Sequence, residues 1–117
     1  MTDKPLLRNQ VGGILYLTLN NKARMNSLSM SLLSALKSSF EDIKDNPTVK
    51  VVVIRSEGPA FSSGHDLNEL VNHDTESYSR LFSACTSVME AIRLSPKPVI
   101  AEVQGIATAA GCQLVAT

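Results

Sequence analysis

No charge of either sign is in excess: eleven lysines and arginines balance eleven aspartates and glutamates over 117 residues. A chain without a basic surplus offers no broad field for nucleic acid or anionic lipid. The charges alternate rather than run in blocks, as on a solvated surface. Two cysteines, Cys85 and Cys112, are too few for a disulfide framework and are expected to be reduced, small and buried. No apolar run approaches the ~20 residues of a membrane helix. The segment Met1 to Pro5 has neither a signal peptide's apolar region nor the Arg-rich amphipathic character of a transit peptide. Low-complexity stretches and domain linkers are absent too, so the length fits one small domain with a modest core. The final residues, Gln113 to Thr117, read like the middle of a helix without a Gly, Asn or basic last turn, and the chain is expected to be part of something longer.

What is present is an alternation of strands and helices. Leu6 to Gln10 and Ile14 to Asn20 are strand-like, with Val11-Gly12-Gly13 as a hairpin turn. Leu15, Leu17 and Leu19 share the more apolar face and should point inward. After a polar, turn-rich stretch from Asn20 to Leu28, Ser29 suits the N-cap of a helix reaching about Asp45, with Leu33, Leu36, Phe40 and Ile43 as its stripe and Asn46-Pro47 as its end. The β-branched run Val51 to Ile54 reads as a strand covered on both faces. A helical turn is expected from Leu67 to Leu70. Thr75 could cap a helix to about Leu94, with an apolar stripe of Tyr78, Leu81, Phe82, Cys85, Val88, Met89 and Ile92, broken by Ser95-Pro96-Lys97-Pro98. Val99 to Val103 is the next strand, and a last helix opens after Gly105. The order argues for an α/β layer fold with right-handed crossovers.

Two segments carry the chemistry: Ala60-Phe61-Ser62-Ser63-Gly64-His65-Asp66-Leu67, and Gly105 through Leu114. Each follows an apolar strand and leads into a helix, where backbone N–H groups lack partners and can hold a negative oxygen. Two such donors meeting at one point would make an oxyanion hole. Alone, the first segment reads equally well as structural punctuation, and the second more often as helix–sheet packing than as a site.

Together and in this order they resemble the crotonase (enoyl-CoA hydratase/isomerase) superfamily. The resemblance also takes in Asn20-Asn21-Lys22-Ala23-Arg24-Met25-Asn26-Ser27-Leu28, the strand Val51 to Ile54 and Lys97-Pro98-Val99-Ile100-Ala101, and runs from about Gln10 to Thr117. It implies a spiral of ββα units of the ClpP/crotonase type, of which this chain would be the N-terminal portion. It further implies an acyl-CoA or enoyl-CoA thioester whose carbonyl is held by the backbone N–H groups of His65 and Ala110, with coenzyme A as part of the substrate and no separate cofactor or metal. Arg24 and Met25 match the loop near the CoA adenine, and Asp66, Leu67 and Asn68 the substrate-contacting stretch; Lys22 and Arg24 could meet CoA phosphates or be plain solvated charges. Relatives form trimers or hexamers with C-terminal helices over their sites, and mitochondrial residence follows from the resemblance alone, a cytoplasmic location staying open.

The pattern breaks at Gln113, where hydratases of the family carry a glutamate. An amide can position a water but cannot take its proton, and the family's second acid would lie past Thr117. Little or no hydratase activity is therefore expected. His65 and His73 read as loop residues, Asp66 and Glu69 as support for a helix start, Glu102 as an edge contact, and Ser62 and Ser63 have no base at recognisable spacing. Three functions stay open: a thioester-binding protein of fatty-acid metabolism, a non-catalytic form acting through protein contacts, and a different acyl-CoA reaction completed by a longer form or a neighbouring subunit. If cut short, the chain should be marginally stable, with Leu114 and Val115 uncovered.

Overall fold

The structure, a computed structural model, describes residues 4–71 and 73–117. Strands β1 (Leu6–Val11) and β2 (Ile14–Leu19) form an antiparallel hairpin with Leu6 opposite Leu19 and Val11 opposite Ile14. Gly12, at φ 58°, takes the left-handed turn position that costs a residue without a side chain nothing. Helix α1 (Met30–Ile43) then crosses to β3 (Val51–Ser56), which runs parallel to β2. A short β4 (Ala60–Ser62) leads to a 3-10 turn at Leu67–Glu69 and to α2 (Thr75–Arg93). Then β5 (Val99–Ala101) adds parallel to β3, β6 (Ile106–Ala107) pairs parallel with β4, and α3 (Ala110–Ala116) follows. The main sheet has the order β1-β2-β3-β5, with β4 and β6 as a second, two-stranded sheet.

The helices start where local chemistry lets them. Ser29 Oγ accepts from Leu32 N at 3.2 Å and closes the start of α1, as expected. At α2 the cap is Asp74 and not Thr75: its Oδ1 accepts from Ser77 N at 2.8 Å, and a carboxylate also suits the positive helix end. Those hydrogen bonds hold the Asp74 carboxyl below its ordinary range. A single cluster is buried between the sheet and α1 and α2, including Leu15, Leu17, Leu19, Leu33, Leu36, Phe40, Ile43, Val52, Ile54, Val88 and Ile92. The inward face of β2 is the one its alternation predicts.

Four further expectations need correction. The run Val51 to Ile54 is covered on one face only: Val52 and Ile54 are buried, while Val51 and Val53 are half-exposed. On that outer face the Arg55 guanidinium lies 4.1 Å over the Tyr16 ring, shielding the sheet by cation–π contact instead of a second helical layer. Phe82 leaves the α2 stripe and is 50% exposed, because it stands at the stripe's margin beside His65. Cys85 is buried and its thiol is pushed up by burial, but Cys112 is exposed on the outside of α3. Leu114 is covered after all, at 4% exposure in the core cluster, with Val115 packed half-buried against it.

Candidate active site

Three loops, far apart in sequence, are tied into one structure by backbone hydrogen bonds. Ser63 N donates to Met25 O at 3.0 Å and Leu28 N to Gly64 O at 2.6 Å, joining the loop before α1 to the loop after β4. Thr108 N donates to Ser62 O at 3.0 Å, joining the β4 loop to the one that opens α3. Asn26 is the clasp. Fully buried, it accepts from Asn21 N at 2.8 Å and donates to Glu57 O at 2.7 Å and Ala60 O at 2.9 Å. Its own carbonyl accepts from Ser62 Oγ at 2.8 Å. Such a satisfied polar residue inside a core fixes loop geometry rather than merely filling space.

Glycine is needed at two points of this junction. Gly64 has φ 98°, and a Cβ there would stand 3.2 Å from Ala110 N and 3.0 Å from the Ala109 Cβ. Gly111 packs so tightly that a Cβ would come to 2.8 Å from the Ser62 carbonyl carbon. The backbone just before His65 therefore leaves no room for a side chain beside the backbone nitrogen of Ala110. Among the described residues, neither the His65 nor the Ala110 N–H has a hydrogen-bond acceptor. Ala109, between the strand and α3, is held at φ 51° and ψ −125°, a region that side-chain-bearing residues rarely occupy.

Arg24, Met25, Asp66, Leu67, Asn68 and His65 line one open cleft of about 390 Å³, together with Ala23, Ser27 and Ser63. The Arg24 guanidinium lies 3.7 Å from the Asp66 carboxylate, whose Oδ1 also accepts from Asn68 N at 2.9 Å. Leu67 is 70% exposed at the rim and Met25 is exposed too, so the cleft combines apolar walls with one cation and one anion. The His65 ring meets Phe82 of α2 edge-on, centroids 5.1 Å apart, and burial lowers its pKa against the opposing pull of Glu69.

The residues expected from sequence thus divide into three groups. Arg24, Met25, Asp66, Leu67, Asn68 and His65 share the cleft; Ala110 adjoins it across Gly64; Gln113 is exposed further along α3, outside the cleft lining. Glu69 supports a helix start, but that of α1: its Oε1 accepts from Met30 N at 2.9 Å. His73 is exposed, and Glu102 lies beyond the end of β5. Among the described residues no cluster of potential metal ligands occurs and no helix is long and apolar enough to cross a membrane. Asn26 was missed as a site-building residue. Its legible signal was its place in the family-like run Asn20 to Leu28, where any polar loop residue looks the same in sequence.

Residues 9–117 match the profile of the enoyl-CoA hydratase/isomerase family. The human protein named enoyl-CoA hydratase domain-containing protein 3, mitochondrial, is 44% identical over 97% of this chain, and the Danio rerio protein of that name 46% over 95%. Methylglutaconyl-CoA hydratase, mitochondrial, of Mus musculus is 32% identical over 92%. The crystal structure of the human domain-containing protein 3 superposes with a TM-score of 0.91 at 45% identity, covering 96% of this chain and 45% of that one. An enoyl-CoA hydratase from Mycobacterium smegmatis gives 0.94 at 46%, over 97% and 45%. The chain spans 38% and 39% of the length of the two curated relatives named first. With a crotonase fold throughout its described length and a family match over nearly all of its sequence, the chain belongs to the enoyl-CoA hydratase/isomerase family.

Proposed function

We propose that this chain binds acyl-CoA or enoyl-CoA thioesters and polarises their carbonyl with the backbone N–H groups of His65 and Ala110, without supplying a base for hydration. The observation that supports this reading is the tight seating of Gly64 beside Ala110 N, with neither the His65 nor the Ala110 N–H given an acceptor among the described residues. As an enolate or tetrahedral oxygen gains charge, each aligned donor is worth about 3–4 kcal/mol of transition-state stabilisation. Main-chain donors do this whatever their side chains, so a histidine and an alanine serve.

The cleft beside the donors suits the remainder of a CoA ester: apolar Met25 and Leu67 for a flat ring or a chain, and Arg24 for a phosphate. Coenzyme A arrives with the substrate, and no other cofactor is called for. Gln113 cannot accept the proton of an attacking water, and loss of a general base costs on the order of 10²–10⁴ in rate. A mitochondrial location, named for the relatives, extends to this chain on the same proposal, as does the place in fatty-acid metabolism that the family resemblance implies. A protein-contact role is the second reading. It is favoured by the exposed apolar side chains of Ile100 on β5 and Ile106 on β6, at 53% and 63%.

Titration with a chromophoric enoyl-CoA separates the two. Saturable binding with a red-shifted enoyl absorbance is expected from a polarised conjugated thioester. Absence of both binding and shift refutes the oxyanion site and favours protein contacts, and measurable hydration would overturn the role given to Gln113.

A further inference from the structure

The strained backbone of Ala109 points to a residue that sets how often the site is competent. We infer that Ala109 is a positioning residue that weakens thioester binding, by disfavouring the backbone arrangement in which the Ala110 N–H faces Gly64 and His65. The inference rests on the oxyanion reading above and goes beyond it to a single side chain.

Ala109 holds φ 51° and ψ −125°, where glycine is at ease and any Cβ is crowded. Its methyl is also the atom that an added Cβ on Gly64 would meet, at 3.0 Å, so the two loops close on each other at this carbon. The 109–110 peptide carries both consequences. Its carbonyl accepts from Gln113 N at 3.1 Å within α3, and its N–H is the Ala110 donor, without an acceptor among the described residues. Rotation of that peptide relieves Ala109 and turns the donor away, at the cost of one ordinary hydrogen bond. Strain and hydrogen bond are of the same order, so the arrangement shown and relaxed ones lie close in energy. A ligand that needs the inward donor then sees only the competent fraction, and its apparent Kd is raised by the reciprocal of that fraction.

Glycine at this position removes the bias. Strain of this kind shifts an equilibrium about five- to hundredfold. Ala109→Gly is therefore expected to bind a chromophoric enoyl-CoA about three- to tenfold more tightly, with an undiminished red shift and a raised thermal midpoint. Free coenzyme A has no carbonyl for the donor to meet, and its Kd should stay within twofold of that of the unmodified chain. That contrast separates a positioned donor from general stiffening.

Calorimetric titration of both ligands into both proteins, with thermal unfolding alongside, decides it. A raised midpoint with unchanged enoyl-CoA affinity overturns the inference, as does an equal gain for coenzyme A and enoyl-CoA, or a lowered midpoint. If the unmodified chain binds enoyl-CoA with a red shift while Ala109→Gly matches it, this inference alone falls. If the unmodified chain neither binds nor shifts the chromophore, the oxyanion reading falls and takes this one with it.

Discussion

Asn26 is the residue whose removal should cost most for its size. Asn26→Ala deletes a fully buried side chain and three hydrogen bonds, to Asn21 N, Glu57 O and Ala60 O. Ala60 O retains a second partner, Gln104 Nε2 at 3.1 Å, so the lasting losses are at Asn21 and Glu57. Each is worth about 1 kcal/mol net. The backbone adds a separate penalty. Asn26 sits at φ 53°, which asparagine tolerates and alanine resists by a further ~1 kcal/mol. With the small void left behind, the total comes to about 3–4 kcal/mol, a large part of the ~5–15 kcal/mol that holds a domain together. Asn26→Gly loses the same hydrogen bonds without the backbone penalty and should be about 1 kcal/mol more stable than Asn26→Ala. Asn26→Asp should be the worst of the three, since it aims a buried anion at two carbonyl oxygens. Urea unfolding followed by circular dichroism measures all three. The reasoning fails if Asn26→Ala costs less than about 1 kcal/mol, or if the alanine variant is more stable than the glycine one.

Two more expectations concern the junction itself. Gly111→Ala gains about 0.5–1 kcal/mol of helix propensity but drives a methyl into the Ser62 carbonyl, an overpacking cost of about 1–3 kcal/mol, so a net loss in thermal midpoint is predicted; a raised midpoint would show the two segments free to part. The His65 pKa is lowered by burial, so the unfolded chain binds more protons than the folded one over the window just below the ordinary histidine value of about 6.5. The corresponding stability is complete above that value and is lost as pH falls through the folded pKa; His65→Gln should flatten this part of the stability–pH curve, and an unaltered curve contradicts the assignment.

Much of the fold was legible because each element carries its own signal. The leucine alternation of β2, the Ser29 cap and the three-and-four spacing of α1 are local patterns, and local patterns can be read from a string. The site was legible as a set of loops only through resemblance, and its construction was not legible at all. Which amide clasps the loops, and the pairing of Glu69 with the start of α1 rather than its own turn, depend on contacts between residues far apart in the chain. The one-sided cover of β3 was missed for a similar reason: a β-branched run looks the same whether a helix or an arginine over Tyr16 protects its second face. Choosing Thr75 over Asp74 as a cap was a narrower error, since both residue types serve and only the backbone entry angle separates them.

The loops that meet around Gly64 belong to segments reaching from Met25 to Ala110. The β1–β2 hairpin and α1 can organise early from near neighbours, whereas the parallel partners β3 and β5 require long crossovers to close first. During synthesis, then, a growing polypeptide would hold the strands β1 to β3 and the cleft-lining loops before the segment that meets Gly64 had emerged.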